Sequence, residues 1–506
     1  MRRTLIALTL AFTLVLSACS KAPVVTPEEP EVTPTPSAAP KQQKFTLPYY
    51  PNAELHPILG NNRTNMVLFG LVYQGLFELD NSFAPHKVLC SDYSVSGDRL
   101  TWTFTLGDHT FSDGSSVTAA DVVHSLEIAR SSTLYSSRFT HIQTISADKN
   151  GAVVLTLTSP NSLLPALLDI PVMRDLKDGS IPLGTGPYRF TEDEGPLRLI
   201  RTESAPNSIP AEIPLLAMEA AGDLIYAFDS GGISLTVSDL TGANALGYSM
   251  GYEVYDFPTT TMLYVGFQAA SGPCLDPMVR QAISRSFDRD TVVNSLLSGH
   301  ADATYLPISP RSELYSSSHE VTGSYNPSAA EALLADAGYT KGEDGLLRHG
   351  RSTLALTFVV NNDNSFKLAV ADFLANQLTE LGMEITLKKL AWDDYLAALK
   401  SGQFDLYLGE VTLTADFDLS ALLAADGALN FGGYQSIEMD TARLVLRCGG
   451  IGEFLLFDRF LADAPFAPLC FKNQAVLTQW QAVSGLEPTR QNPFYHLESL
   501  RFNAAK

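Results

Sequence analysis

The residues able to do chemistry are dispersed. The nine histidines of this 506-residue chain stand singly, and His109 and His124 have no metal-ligand spacing. Cys90, Cys274, Cys448 and Cys470 form no C-x-x-C pair, so neither a metal cluster nor a redox motif is expected. If any two of them form a disulfide it is Cys448 with Cys470; buried free thiols are the alternative. Gly184-Thr185-Gly186-Pro187-Tyr188 lacks the Gly-Lys-Ser/Thr ending and following helix of a phosphate loop. Asp393 and Asp394 are adjacent and cannot be assumed to face each other, while Asp113, Asp121, Asp288 and Asp405 suit turns, caps and surface charge. No G-x-S-x-G elbow, H-E-x-x-H helix or Rossmann fingerprint occurs. The residues point to binding without catalysis, cofactor or metal.

Charge narrows the partners. Lysine and arginine total 34 against 55 acidic residues, a net charge of −21, which opposes nucleic-acid binding. Arg2 and Arg3 precede an apolar run, Leu5–Leu16, too short for an ordinary membrane span. Leu16-Ser17-Ala18-Cys19 has the form of a lipobox, which predicts a signal peptide over 1–18 and a diacylglyceryl anchor on Cys19. Residues 19–44 are rich in proline and poor in anything to bury, as a disordered tether would be.

The most patterned stretch runs from Leu100 to Arg130. Leu100, Trp102, Phe104 and Leu106 alternate with threonines, as in a strand with one buried face. Asp113-Gly114 marks a turn, and Thr118 with Asp121 opens a helix that buries Val122, Val123, Leu126 and Ala129. Elsewhere the pattern predicts a short strand ending at Leu55–Ile58, a polar turn over 60–65 and a helix over Met66–Tyr73. Asp256–Phe267 reads as a strand, Asp276-Pro277 as a helix start, and 354–387 as strand, helix and strand. Arg280 and Arg289 are expected to salt-bridge on a helix surface.

Several of these stretches carry a resemblance. FSDG with VTAADVVHS (111–125), YQGLFELD (73–80), GTGPY (184–188), RQAISRSFDRDTVVNSLLSGHA (280–301), YNPSAAEALLADAGY (325–339) and DAPFAPLCF (463–471) resemble landmarks of the family 5 bacterial extracellular solute-binding proteins. The resemblance implies an α/β, large two-lobed periplasmic-binding-protein fold, with an extra subdomain in the first lobe and two crossovers between lobes. The first lobe would take 45–262 plus 470–506, the subdomain about 76–160, and the second lobe 263–469. The implied role is the substrate-binding component of an ABC importer, a monomer lipid-anchored on the outer face of the cell membrane, the periplasmic side where there are two membranes. It would capture an oligopeptide or dipeptide and pass it to permease subunits. A nickel chelate, a sugar oligomer, or a chaperone or adhesin role without transport are the alternatives.

The resemblance also implies a ligand set. Asp416, in Leu413-Thr414-Ala415-Asp416-Phe417-Asp418, stands where peptide-binding members hold the ligand's α-ammonium; a loop cap is the structural alternative, and Asp418 a substitute two residues on. Leu413 replaces the tryptophan common three residues earlier, which bears on peptide specificity. Trp392 matches a position that lines the pocket or packs in the core. Asn61 and Asn62 lie where the first lobe meets an extended peptide, or form a plain turn, and Asn361 and Asn364 precede a helix from a polar loop.

Overall fold

The computed structural model describes residues 44–503 apart from 178, 194, 244–246, 250, 450 and 451. The leader over 1–18, Cys19 and the tether up to residue 43 lie outside the described residues.

Capping chemistry sets the helices near the chain start. Helix α1 (Arg63–Val72) begins where the Asn62 side chain accepts the Asn65 N–H at 3.0 Å. Helix α2 (Ala119–Ser131) opens on a complete capping box between Thr118 and Asp121. Asp121 also receives Arg174 through Nε at 2.8 Å and Nη2 at 2.6 Å. The strands Cys90–Val95, Thr101–Leu106, Val153–Leu157 and Ile142–Ala147 form an antiparallel sheet in that order, and Trp102 and Phe104 are buried on one face.

The central sheet has seven strands. They include β1 (Leu235–Ser238), β2 (Tyr252–Phe267), β3 (Ala355–Asn361), β4 (Glu384–Leu390), β5 (Leu406–Thr412) and β6 (Phe466–Gln479), in the order β1-β6-β2-β5-β3-β4. Ala301–Ala303 pairs with β6 off this path. Strand β3 runs parallel to β4 and β5, while β2 is antiparallel to β5 and β6. Around the sheet lie α3 (Pro277–Arg285), α4 (Ser365–Leu381), α5 (Trp392–Lys400), α6 (Ile437–Cys448) and α7 (Gly452–Asp463). Gly382 ends α4 at φ 110°, a conformation that suits glycine.

The molecule has the two-lobed α/β architecture of periplasmic binding proteins. One hydrophobic core draws its buried residues from Phe45 to Phe257 and from Val476 to Leu500, with Phe45 edge-to-face on Phe494 and Phe502. Two adjoining clusters take almost all theirs from Met262 to Phe471.

Several expectations need correction. No strand covers Leu55–Ile58: the His56 ring nitrogen Nδ1 accepts the N–H groups of Ile58 and Leu59, bending the chain into a turn, and the strand nearby is Leu47–Tyr49. The turn predicted over 60–65 is shorter, because Asn62 already caps α1. Arg280 and Arg289 are no surface salt bridges. Arg280 is buried and donates to the carbonyls of Cys274, Leu275, Asp463 and Ala464. Arg289, 0% exposed, donates to the Pro468 carbonyl at 2.7 Å, to those of Ser284 and Phe287, and to the Ser284 hydroxyl, and it lies over the Tyr305 ring. Burial lowers its pKa to about 10, which leaves it charged at neutral pH. Cys448 and Cys470 are not paired; Cys90, Cys274, Cys448 and Cys470 are all free.

Candidate functional site

Strand β5 delivers the loop that carries Asp416. Two bonds pin the start of that loop to β2: Leu413 N–H donates to the Thr260 carbonyl at 2.9 Å, and the Thr260 hydroxyl donates to the Leu413 carbonyl at 2.6 Å. The Leu413 side chain is buried in one of the two clusters drawn mostly from Met262 to Phe471. Asp416 is 6% exposed and accepts from Asn161 Nδ2 at 2.9 Å and from the Thr414 hydroxyl at 2.6 Å. Burial raises its pKa, against the pull of these two bonds, because desolvation penalises the charged form. Among the described residues no basic side chain pairs with it.

Phe417 follows at φ 52°, in the left-handed region that costs a bulky residue about 1–3 kcal/mol. Its ring meets that of Phe83 edge-on at 5.4 Å and that of Phe471 at 5.9 Å. Leu79, Ala166 and Ala415 make a small apolar cluster. These contacts close the chain before residue 170 onto the loop after β5.

Asp418 shares the loop and has a different environment. It accepts from the Ser420 N–H at 2.9 Å and from the Ser420 hydroxyl at 2.5 Å; His141 Nε2 lies 3.2 Å from its carboxylate and 2.6 Å from Arg447 Nη1, donating to the first when protonated and accepting from the second when not. Burial opposes its charge, but the His141 and Ser420 bonds and the Arg447 charge outweigh that and hold the carboxyl well below the usual range.

The other candidates are not gathered around Asp416. Asn364 caps α4 by accepting the Lys367 N–H at 3.1 Å, and its amide donates to the Thr241 carbonyl at 3.0 Å. Asn361 is buried and turns its amide toward Asp363. The Asn62 side chain is occupied by the α1 cap, and Asn61 is exposed. Trp392, first in α5, is 56% exposed with its ring 5.9 Å from Tyr395, so it is not a core residue. Asn161, Thr260 and His141 were not singled out from sequence; each works through a partner more than 150 residues away in the chain.

A cavity of about 350 Å³ opens beside α1 and the C-terminal segment. Its wall includes Met66, Phe69, Leu134, Tyr135, Arg138, Asp169 and Arg490. Arg138 pairs with Asp169 and donates to the Leu167 carbonyl at 3.3 Å; burial lowers its pKa to about 10. Arg490 donates to the Thr260 hydroxyl at 2.6 Å, which links the cavity to the strand that pins Leu413. The arrangement offers fixed charges and apolar walls in partly closed spaces, which hold a small solute without breaking a bond.

Residues 84–428 match the family described as bacterial extracellular solute-binding proteins, family 5, middle region. Over 408 residues the chain is 25% identical to the glutathione-binding protein GsiB of Salmonella typhimurium, covering 73% of this chain and 75% of that one. A solved ABC transporter substrate-binding protein from Sinorhizobium meliloti superposes with a TM-score of 0.72 at 18% identity, covering 91% of this chain and 100% of that one. The substrate-binding protein CtaP of Listeria monocytogenes gives 0.70 at 17% identity, with 90% and 99% covered. The chain belongs to the family 5 bacterial extracellular solute-binding proteins, the non-enzymatic solute-capturing components of ABC importers.

Proposed function

We propose that this protein captures a dipeptide or oligopeptide between its lobes, with Asp416 receiving the α-ammonium group, and delivers it to the permease subunits of its importer. The observation that carries the reading is Asp416 itself: a buried carboxylate hydrogen-bonded to two neutral groups, with no ion-pair partner among the described residues and with the Arg138 and Arg447 charges acting on it only from beyond ion-pair distance. An ammonium there makes charge-assisted bonds and removes the cost of an unpaired buried charge. The GsiB relative, named for glutathione, is consistent with a short peptide-like solute. In this reading Asp418, on the same loop, and Asn361, Asn364, Trp392, Asn61 and Asn62 make further contacts with the solute. Among the described residues no cluster of His, Cys, Asp or Glu could hold a metal ion, so a nickel solute would have to arrive with its own chelator.

The lobes in this proposal divide as 45–262 plus 470–506 and 263–469, β2 and β6 being the two crossovers and about 76–160 an extra subdomain; the distribution of the buried cores supports it. Cys19 carries the lipid anchor and the protein acts as a monomer. Among the described residues no helix is long and apolar enough to cross a membrane.

The test is calorimetric titration of ligand-stripped protein with a library of two- to five-residue peptides, their N-acetylated forms, and Asp416→Asn protein. Acetylation abolishes binding and the substitution weakens it at least about tenfold, or about 1.4 kcal/mol. Equal binding of acetylated peptides removes Asp416 from the role.

A further inference from the structure

Both oxygens of Asp416 already hold a donor from the chain. Oδ1 accepts the hydroxyl of Thr414, on the same loop, at 2.6 Å. Oδ2 accepts Asn161 Nδ2 at 2.9 Å, across 255 residues of sequence. The first donor travels with the carboxylate; the second belongs to a separate stretch of backbone. Asn161 is 2% exposed and sits in a turn of its own, where its Oδ1 accepts the Leu163 N–H at 3.0 Å and its carbonyl accepts the Leu164 N–H at 3.3 Å. Its neighbour Ser162 ties that turn to α6 by donating its N–H to the Arg447 carbonyl at 2.7 Å. The Asn161 amide is thus held against Asp416 by its backbone as well as by the bond itself.

We propose that Asn161 is an internal competitor for the amine seat: its side-chain amide holds Oδ2 until a cationic end of the solute displaces it, an inference that rests on the peptide reading and deepens it. A carboxylate in open water takes about four donors. Asp416 is 6% exposed and Asn161 is buried beside it, so an incoming group bonds to Oδ2 in place of the amide. For an ammonium the exchange is favourable, because a bond charged on both sides is stronger than one charged on the carboxylate side alone. Burial presses Asp416 toward its neutral form, and an ammonium relieves that pressure where an amide does not. A neutral donor on the solute gains nothing, since amide then replaces amide. Asn161 is thereby a specificity-determining residue, whose bond sets the threshold that a solute must exceed.

Calorimetry on ligand-stripped protein tests it through the sign of one effect. The probes are Ala-Ala-Leu and propionyl-Ala-Leu, the same molecule without its amino group; the proteins are wild type, Asn161→Ser, Asn161→Ala and Thr414→Val, each checked by thermal unfolding. Serine keeps an oxygen for the Leu163 N–H but is too short to reach Asp416, and alanine removes both bonds. With the competitor gone, Ala-Ala-Leu binds Asn161→Ser and Asn161→Ala about three- to tenfold more tightly than wild type, the strength of one hydrogen bond no longer given up. Propionyl-Ala-Leu, which displaces nothing, is unchanged. Thr414→Val also leaves the affinity for Ala-Ala-Leu unchanged, because that bond is present with and without the solute. Unchanged or weaker binding of Ala-Ala-Leu to both Asn161 variants overturns the competition and leaves the peptide reading standing. Equal tightening of both probes, or tightening by Thr414→Val to the same degree, also overturns it, since the gain then does not come from a vacated seat. No binding of Ala-Ala-Leu to wild type or to either Asn161 variant up to about 10 mM sinks the peptide reading, and the competition with it.

Discussion

Phe83 and Phe417 meet ring edge to face at 5.4 Å, and both have left-handed backbones, at φ 64° and 52°. The backbone of each is held by its own turn. Phe83 N–H donates to the Asp80 carbonyl, and Phe417 N–H donates to that of Thr414. The conformation at Phe417 sets its ring toward Phe83 while Asp416, its neighbour, faces Asn161.

Removing one ring loosens this contact without touching Asp416. An edge-to-face pair is worth about 0.5–1.5 kcal/mol beyond its burial, so Phe83→Ala speeds solute release about two- to tenfold. Stopped-flow displacement of bound peptide measures it, with denaturant unfolding as a control. Unchanged release would show that the two rings take no part in holding the closed form.

Asp416 and Asp418 respond to acid in opposite senses. The folded-state pKa of Asp416 is raised, so its contribution is favourable below the unfolded value and lost as pH rises through the folded one. Asp416→Asn is therefore as stable as wild type at acid pH and more stable at neutral pH. The folded-state pKa of Asp418 is depressed, so its contribution is present above the unfolded value and lost as pH falls toward the folded one. Asp418→Asn costs about 1.5–3 kcal/mol at pH 7, a gap that closes below about pH 4. Urea titrations across pH read both.

Arg289 serves three carbonyls and a hydroxyl from a fully buried position. Arg289→Met leaves those acceptors unpaired, at about 1–3 kcal/mol each where no water enters. Urea unfolding shows a loss of about 3 kcal/mol or more. Arg289→Lys recovers only part, since one ammonium cannot reproduce the fork.

The four thiols differ in access. Cys90, Cys274 and Cys470 are buried, and burial raises their pKa values, to about 11 for Cys90 and about 12 for Cys470; Cys448 is half-buried. Protonated, enclosed thiols react slowly. Mass spectrometry of protein beginning at Lys44 finds rapid alkylation at Cys448 in the native state and at all four after unfolding without reductant. A reductant requirement would reveal a disulfide.

Local grammar was legible and distant partnership was not. Thr118 with Asp121, Asp276 before Pro277 and Gly382 after α4 announce their helix ends because the chemistry lies within a few residues. The alternation at Trp102 and Phe104 likewise marks one buried face. Leu55–Ile58 misled because an apolar pattern does not reveal that the His56 ring takes the N–H groups a strand would have offered. Arg280 and Arg289 occupy helical positions that suit a solvated charge, and the return of 463–468 supplies the distant carbonyls that complete their hydrogen bonding. Asp416 stood out by resemblance. Nothing near Asn161 or Arg490 in sequence signals a partner at Asp416 or Thr260.

Those returning carbonyls also fix an order of assembly. A chain made from its N-terminus presents Arg280 and Arg289 long before Asp463, Ala464 and Pro468 exist to receive them. Phe45 waits longer still for Phe494 and Phe502. The first core cannot be completed by a nascent fragment that stops short of Phe494. The polypeptide stays incompletely folded until Phe494 and Phe502 are made, the condition in which a chain can still be threaded across a membrane.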